Sequence, residues 1–168
     1  MSRIGKLPIK IPTGVQVLFK NNGSVLNLTG KFGSLEIQIP EDLTIVAWRT
    51  QSIDLKTKKS SYDGFLSVRF KPSRSISQIR INKSLQGLYR TLIANMVKGI
   101  TEQFTITLNL QGVGYRANVE GTSLKLNLGF SHPIEITIPE GINVEVVQNT
   151  TINIKACDKE QLGFFAAK

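Results

Sequence analysis

Hydrophobic residues in this chain recur mainly with a period of two. Leu35, Ile37 and Ile39 alternate with polar neighbours, and so do three later sets: Leu124, Leu126 and Leu128; Ile134, Ile136 and Ile138; Ile142, Val144 and Val146. Such alternation, bounded by Gly, Pro and Asn, marks half-buried antiparallel strands. Residues 25–28, 43–46, 53–55 and 152–154 read as further short strands, and residues 64–70 can form another. The period changes twice. Leu85, Leu88, Leu92, Ile93 and Met96 share one helical stripe, with Ser84 placed to cap it and Gly99 to end it. Asp158 can cap a second helix that runs toward Ala167.

The pattern occurs twice. Glu36-Ile37-Gln38-Ile39-Pro40-Glu41 returns as Glu135-Ile136-Thr137-Ile138-Pro139-Glu140, 99 residues later. The same offset pairs Ser24 with Ser123, Gly30 with Gly129, Leu43 with Ile142 and Ile53 with Ile152. A duplicated fold follows. The expected fold class is α+β: a tandem duplication of a small domain, each copy an antiparallel sheet with one packed helix, over residues 1–100 and 101–168.

Charge changes the picture next. The chain of 168 residues carries a formal net charge of +9. Residues 1–98 hold sixteen Lys or Arg against five acids, and residues 99–168 hold five against seven. The balance is therefore +11 and −2, and it favours a polyanionic partner for the first half. Residues 56–83 concentrate the excess in a stretch that reads as irregular and Ser-rich: Lys56, Lys58, Lys59, Arg69, Lys71, Arg74, Arg80 and Lys83 against Asp63. Such a run is either a solvated loop or a phosphate-binding arm.

Candidate chemistry narrows the field further. One cysteine, Cys157, excludes an internal disulfide framework and reads as a buried free thiol. With His132 as the single histidine there is no Cys/His zinc set, and a triad would need a histidine that sits in a turn. Gly112-Val113-Gly114 lacks the third glycine of a dinucleotide site and reads as a strand bend. No metal, cofactor or small-molecule substrate is expected, and no enzymatic activity. No apolar run is long enough to span a membrane, and the N-terminus has no apolar signal core. Binding remains: Lys and Arg neutralise phosphates, while Ser, Asn and backbone N–H groups bond phosphate and ribose.

Several segments carry a resemblance. Ser2-Arg3-Ile4-Gly5-Lys6-Leu7-Pro8-Ile9, followed by Ile11-Pro12-Thr13-Gly14-Val15, resembles the opening of the ribosomal protein L6 family of the large subunit. Residues 88–99 resemble that family's central helix. Gln111-Gly112-Val113-Gly114-Tyr115-Arg116-Ala117 and Leu126-Asn127-Leu128-Gly129-Phe130-Ser131-His132-Pro133 resemble its two strand-turn segments. The resemblance covers nearly the whole chain. It implies a structural role on large-subunit rRNA near the sarcin–ricin loop and the stalk base, beside neighbouring ribosomal proteins. It carries rRNA contact to Arg3, Lys6, Lys10, Lys83, Arg90, Arg116, Ser131 and His132.

The chain departs from the family in three places. The family's basic C-terminal tail is absent before Lys168, residues 58–82 look like a basic insertion, and Gly30-Lys31-Phe32-Gly33 stands where the family has Gly-Pro-x-Gly. Lys58, Lys59, Arg69, Lys71, Arg74 and Arg80 are expected to give an additional RNA contact. The phrasing of the motifs and the frequent Ile, Asn and Lys point to a plastid (chloroplast) ribosome, with a mitochondrial or bacterial one next. A standalone RNA-binding module outside the ribosome is the alternative function.

Overall fold

The computed structural model describes residues 4–53, 60–72 and 75–168, with backbone alone at 49–53 and 60–63. Two compact units divide the chain, Met1–Thr101 and Glu102–Lys168. The first contains β1 (Ile9–Ile11), β2 (Gln16–Lys20), β3 (Val25–Gly30), β4 (Gly33–Gln38), β5 (Leu43–Ile53), β6 (Ser60–Phe70) and α1 (Ile76–Glu102). The second contains β7 (Phe104–Asn109), β8 (Arg116–Glu120), β9 (Ser123–Asn127), β10 (Ile134–Thr137), β11 (Ile142–Val147), β12 (Thr151–Ala156) and α2 (Lys159–Ala166). The fold is α+β and duplicated, as the alternating pattern implied. Each unit has two antiparallel three-stranded sheets, ordered β2-β3-β4 and β1-β6-β5 in the first, β8-β9-β10 and β7-β12-β11 in the second.

The repeated hexapeptide does the same work in both units. Ile39 and Ile138 donate their N–H groups to the carbonyls of Ser24 and Thr122, both at 2.8 Å. Pro40 and Pro139 have no N–H to give, so the first ladder ends there and the chain turns into a second sheet. Each proline carbonyl then accepts the N–H of Leu43 or Ile142, at 3.0 and 3.3 Å. The offset of 99 is not uniform, however. Leu26 and Leu28 stand opposite Ile37 and Leu35, while Leu124 and Leu126 stand opposite Ile136 and Ile134, so β3 and β9 correspond at 98. Ser24 therefore answers to Thr122 rather than Ser123, and Gly30 is not the counterpart of Gly129. Gly30 lies in β3 with a notional Cβ 3.0 Å from the Ile100 carbonyl. Gly129 lies in the β9–β10 loop with φ +80°.

A larger shift occurs between the hairpins. Leu43 pairs with Phe70 and Trp48 with Phe65, whereas Ile142 pairs with Ala156 and Val147 with Thr151. Sixteen residues, 49–64, thus replace the three-residue turn 148–150. Leu66 and Val68 are the counterparts of Ile152 and Ile154, all four buried, so the expected pairing of Ile53 with Ile152 fails. β5 also runs unbroken from Leu43 to Ile53 rather than as two strands, because no Gly or Pro interrupts it.

The stretch read as irregular is ordered over its described residues. It supplies β6 and the first turns of α1, which begins at Ile76 and not at Ser84. The helix was hidden because its buried face is polar there. Gln78, Asn82 and Gln86 occupy successive turns, Gln78 Nε2 donates to Asn82 Oδ1 at 3.3 Å, and Gln86 Nε2 donates to the Val68 carbonyl at 2.7 Å. Asn82 is 1% exposed, so these bonds satisfy groups that burial would otherwise penalise. Gly99 is buried inside the last turn of the helix rather than beyond it, and the chain leaves the helix at Gln103 with φ 59°. Both sheets and α1 close on one core that includes Leu26, Leu28, Leu66, Val68, Ile93 and Ile100. The second core joins Ala117, Leu124, Ile152, Ile154, Leu162 and Phe165, with Asp158 Oδ1 capping α2 through the Glu160 N–H at 2.9 Å. Cys157 is half-buried rather than buried.

On the β2-β3-β4 sheet the Glu36 carboxylate accepts from Lys20 Nζ and from Asn27 Nδ2. These bonds hold its carboxyl below the ordinary value of 4.5, the Lys20 bond contributing most. A carboxyl with a lowered folded-state pKa stabilises the fold fully above its unfolded value and loses that contribution as pH falls through the folded one. Glu36→Gln should therefore lower the unfolding midpoint at neutral pH. The gap to the unsubstituted chain should close as pH drops below 4.5 in urea titrations.

Candidate nucleic-acid interface

In the second unit two loops leave the same end of the β8–β9 pair, where Arg116 stands opposite Asn127. The Tyr115 ring joins them. A Cβ at Gly112 would sit 2.7 Å from that ring, and one at Gly129 would sit 3.7 Å from its other edge. Glycine at 112 is thus what lets the ring lie flat against the first loop, and Gly129, at positive φ, brings the second loop to it. The Tyr115 N–H closes the turn onto the Gly112 carbonyl at 3.3 Å. Val113 is wholly exposed and Phe130 is 62% exposed. Arg116, Ser131 and His132 are exposed around them, with Ser131 Oγ 3.3 Å from His132 Nδ1. Arg116, Ser131 and His132 thus lie on or next to two loops that Tyr115 links, and the same loops carry two exposed apolar side chains, Val113 and Phe130, that the sequence reading did not single out.

Arg116 is set apart electrostatically. Lys125 bridges Glu120 at 2.7 Å and Glu135 at 3.4 Å, and Lys155 meets Glu145 at 2.9 Å. The Glu120 carboxylate, more than Glu135, raises the Lys125 pKa. These cross-strand pairs neutralise the sheet faces, and Arg116 enters none of them.

In the first unit the N-terminal 3-10 turn Ile4–Lys6 lies on α1. A Cβ at Gly5 would meet the Gln86 side chain and the Gly87 nitrogen at 3.3 Å, and Arg90 Nε donates to the Leu7 carbonyl at 3.3 Å. Lys6 and Lys10 are exposed on this segment, and Lys83 and Arg90 are half-buried on the helix. Arg80, Lys83, Arg90 and Lys98 fall within about 80° of the helix circumference, and Glu102 is the one acid in α1. Lys98 was missed by the sequence reading, although its eight-residue spacing from Arg90 repeats the stripe. Arg69 is exposed on β6 opposite Thr44, and Lys71 follows it with its N–H bonded to the Asp42 carbonyl at 2.8 Å. The structure therefore distributes Arg69, Lys71 and Arg80 over a strand, a turn and a helix rather than one arm. Arg3, Lys58, Lys59 and Arg74 lie outside the described residues. Among the described residues no cluster of three or more His, Cys, Asp or Glu could hold a metal, and no helix is long and apolar enough to cross a membrane.

The chain is thus a pair of small α+β units, the first with cations along β6 and α1 and the second with two glycine-shaped loops joined by Tyr115. A family model described as Ribosomal protein L6 matches residues 111–168, the segment that includes both Tyr115-linked loops. The chain is 60% identical over 170 residues to large ribosomal subunit protein uL6c of Thalassiosira pseudonana, covering all of this chain and 83% of the relative. It is 52% identical to uL6c of Phaeodactylum tricornutum over 99% of the chain and 82% of the relative. Against uL6 of Synechocystis the identity is 42% over the whole chain and 82% of that protein. The chain belongs to the uL6 family of ribosomal proteins, a structural and non-enzymatic family, and falls with its plastid-type members.

The Tyr115 clamp has a direct test. Gly112→Ala should lower stability by about 1–3 kcal/mol through overpacking against the ring, seen as a lower calorimetric midpoint. Val113→Ala, at a wholly exposed position in the same loop, should leave the midpoint unchanged.

Proposed function

We propose that this protein is a structural constituent of the large subunit of a plastid ribosome, where it holds large-subunit rRNA near the sarcin–ricin loop and the stalk base. One observation carries the reading: the Tyr115 ring links the loop that leads into Arg116 with the loop that carries Ser131 and His132, on a unit whose other sheet cations are spent on internal pairs. Arg116 supplies a charged fork to phosphate, while Ser131 and His132 supply hydrogen bonds to phosphate or ribose. Val113 and Phe130 exclude water from that contact. In the first domain Lys6, Lys10, Lys83 and Arg90, with Arg3, form a second set of phosphate contacts, joined by Lys98. Arg69, Lys71 and Arg80, with Lys58, Lys59 and Arg74, extend the basic surface. Of the two domains, 1–100 and 101–168, the first thus contributes mainly charge and the second mainly loop-borne contacts.

The test is co-sedimentation with large subunits across a salt series. Replacing Arg116 and His132 by Ala should weaken binding to large-subunit rRNA by more than roughly thirtyfold, since the Arg116 charge-assisted hydrogen bond alone is worth about 2 kcal/mol. Arg116→Ala alone should reduce the salt slope by about one. Unchanged incorporation into subunits would sink the assignment of these loops. A chain that remains free of subunits at moderate salt while binding any RNA equally would replace the ribosomal reading with a standalone RNA-binding module.

A further inference from the structure

The outer face of the β1-β6-β5 sheet carries a row that the second unit lacks. Lys10 stands opposite Phe65, and Phe65 opposite Trp48. The two rings stack with centroids 5.9 Å apart and planes inclined by 20°. At the corresponding register the second unit has Asn109, Thr151 and Val147. That sheet closes with no aromatic there, so the fold does not require the pair. Trp48 nevertheless leaves 38% of its surface in water, and Lys10 is exposed on the other side of Phe65. Arg69 lies four residues along β6 from Phe65, on the same face, roughly 13 Å away.

We infer that this face is a stacking platform for an unpaired RNA nucleotide, separate from the loops of the second unit. The inference rests on the reading of the chain as an RNA-binding protein. Stacked aromatics on an open sheet face, with cations beside them, hold bases by their π faces and track the backbone by charge. A base stacks on Trp48, extending the Trp48–Phe65 stack by one ring. Lys10 and Arg69 meet the phosphates on either side. The charge of the first 98 residues, sixteen cations against five acids, favours RNA over a protein partner on this face. A duplex keeps its bases inside and offers no free π face, so the platform selects single-stranded or bulged RNA.

Trp48 is the only tryptophan in the chain, so its emission reports the site directly. The full chain is titrated with a single-stranded oligoribonucleotide, a duplex of the same length and inorganic polyphosphate, with indole emission followed alongside binding. The single strand should quench Trp48, and the duplex and polyphosphate should bind without quenching it. Phe65→Leu and Trp48→Leu should each weaken single-strand binding about tenfold, with Trp48→Phe retaining it. Lys10→Gln should lower the salt slope by about one with quenching preserved. Single-strand binding without quenching, equal quenching by polyphosphate, or a Trp48→Leu chain that binds as the unsubstituted chain does would each overturn the platform. So would a Trp48 that is shielded in assembled subunits yet unmoved by free RNA, since a protein would then cover the face. If quenching is absent while co-sedimentation with subunits persists, only the platform fails. If the chain binds no RNA at all, the ribosomal reading fails with it.

Discussion

One strand in each unit bears the constraint from which the rest follows. β6 and β12 are hydrogen-bonded on both sides, and each sends two of its most buried side chains, Leu66 and Val68 or Ile152 and Ile154, into the core. A central strand has no free edge and no freedom of register, because a slip of one residue would turn its buried set outward. The long helix is tied to the first of these strands by the Gln86 bond to the Val68 carbonyl, and the N-terminal turn is tied to the helix through Gly5 and Arg90. Variation is tolerated only where this strand is not concerned. Residues 49–53, paired with 60–64, extend the hairpin past Ala47 opposite Leu66 and leave the pairs below it as they are in the second unit.

The same constraint explains what could be read from the sequence. The period-two runs and the Ile-Pro-Glu repeat report ladders and turns directly, and they led to the duplicated α+β fold. The strands at residues 9–11, 16–20 and 104–109 were not anticipated, and that at 116–120 was legible only through the strand bend read at Gly112-Val113-Gly114. The first two turns of α1 were invisible to a hydrophobic pattern because Gln78, Asn82 and Gln86 are the residues that face inward. A one-residue shift in β3 and β9 was equally invisible, since glycine and serine recur often enough to align by identity while the backbone assigns them different work.

The candidate site was legible in part for a different reason. Arg116, Ser131 and His132 belong to motifs with a known resemblance, and the structure supplies what the motifs could not: a tyrosine ring that brings the loops together. No spacing rule links Gly112 to Gly129 through an intervening aromatic. The Trp48–Phe65 row was hidden because its partners lie on different strands, and pairing of distant strands is set by topology rather than by local pattern. The charge asymmetry between the halves was legible from counting. What it means was not, until Lys125 and Lys155 were found engaged with Glu120, Glu135 and Glu145.

The unbroken length of α1 has one more consequence. Arg80 and Lys98 are eighteen positions apart on one side of a continuous helix, which sets them about 27 Å from each other at 1.5 Å per residue. A helix anchored along its buried side into a packed core acts as a ruler. Its cations are held at fixed intervals before any partner arrives, so little ordering entropy remains to be lost on contact. A polyanion whose phosphates match those intervals is met by a ready-made scale, and one that does not must itself bend.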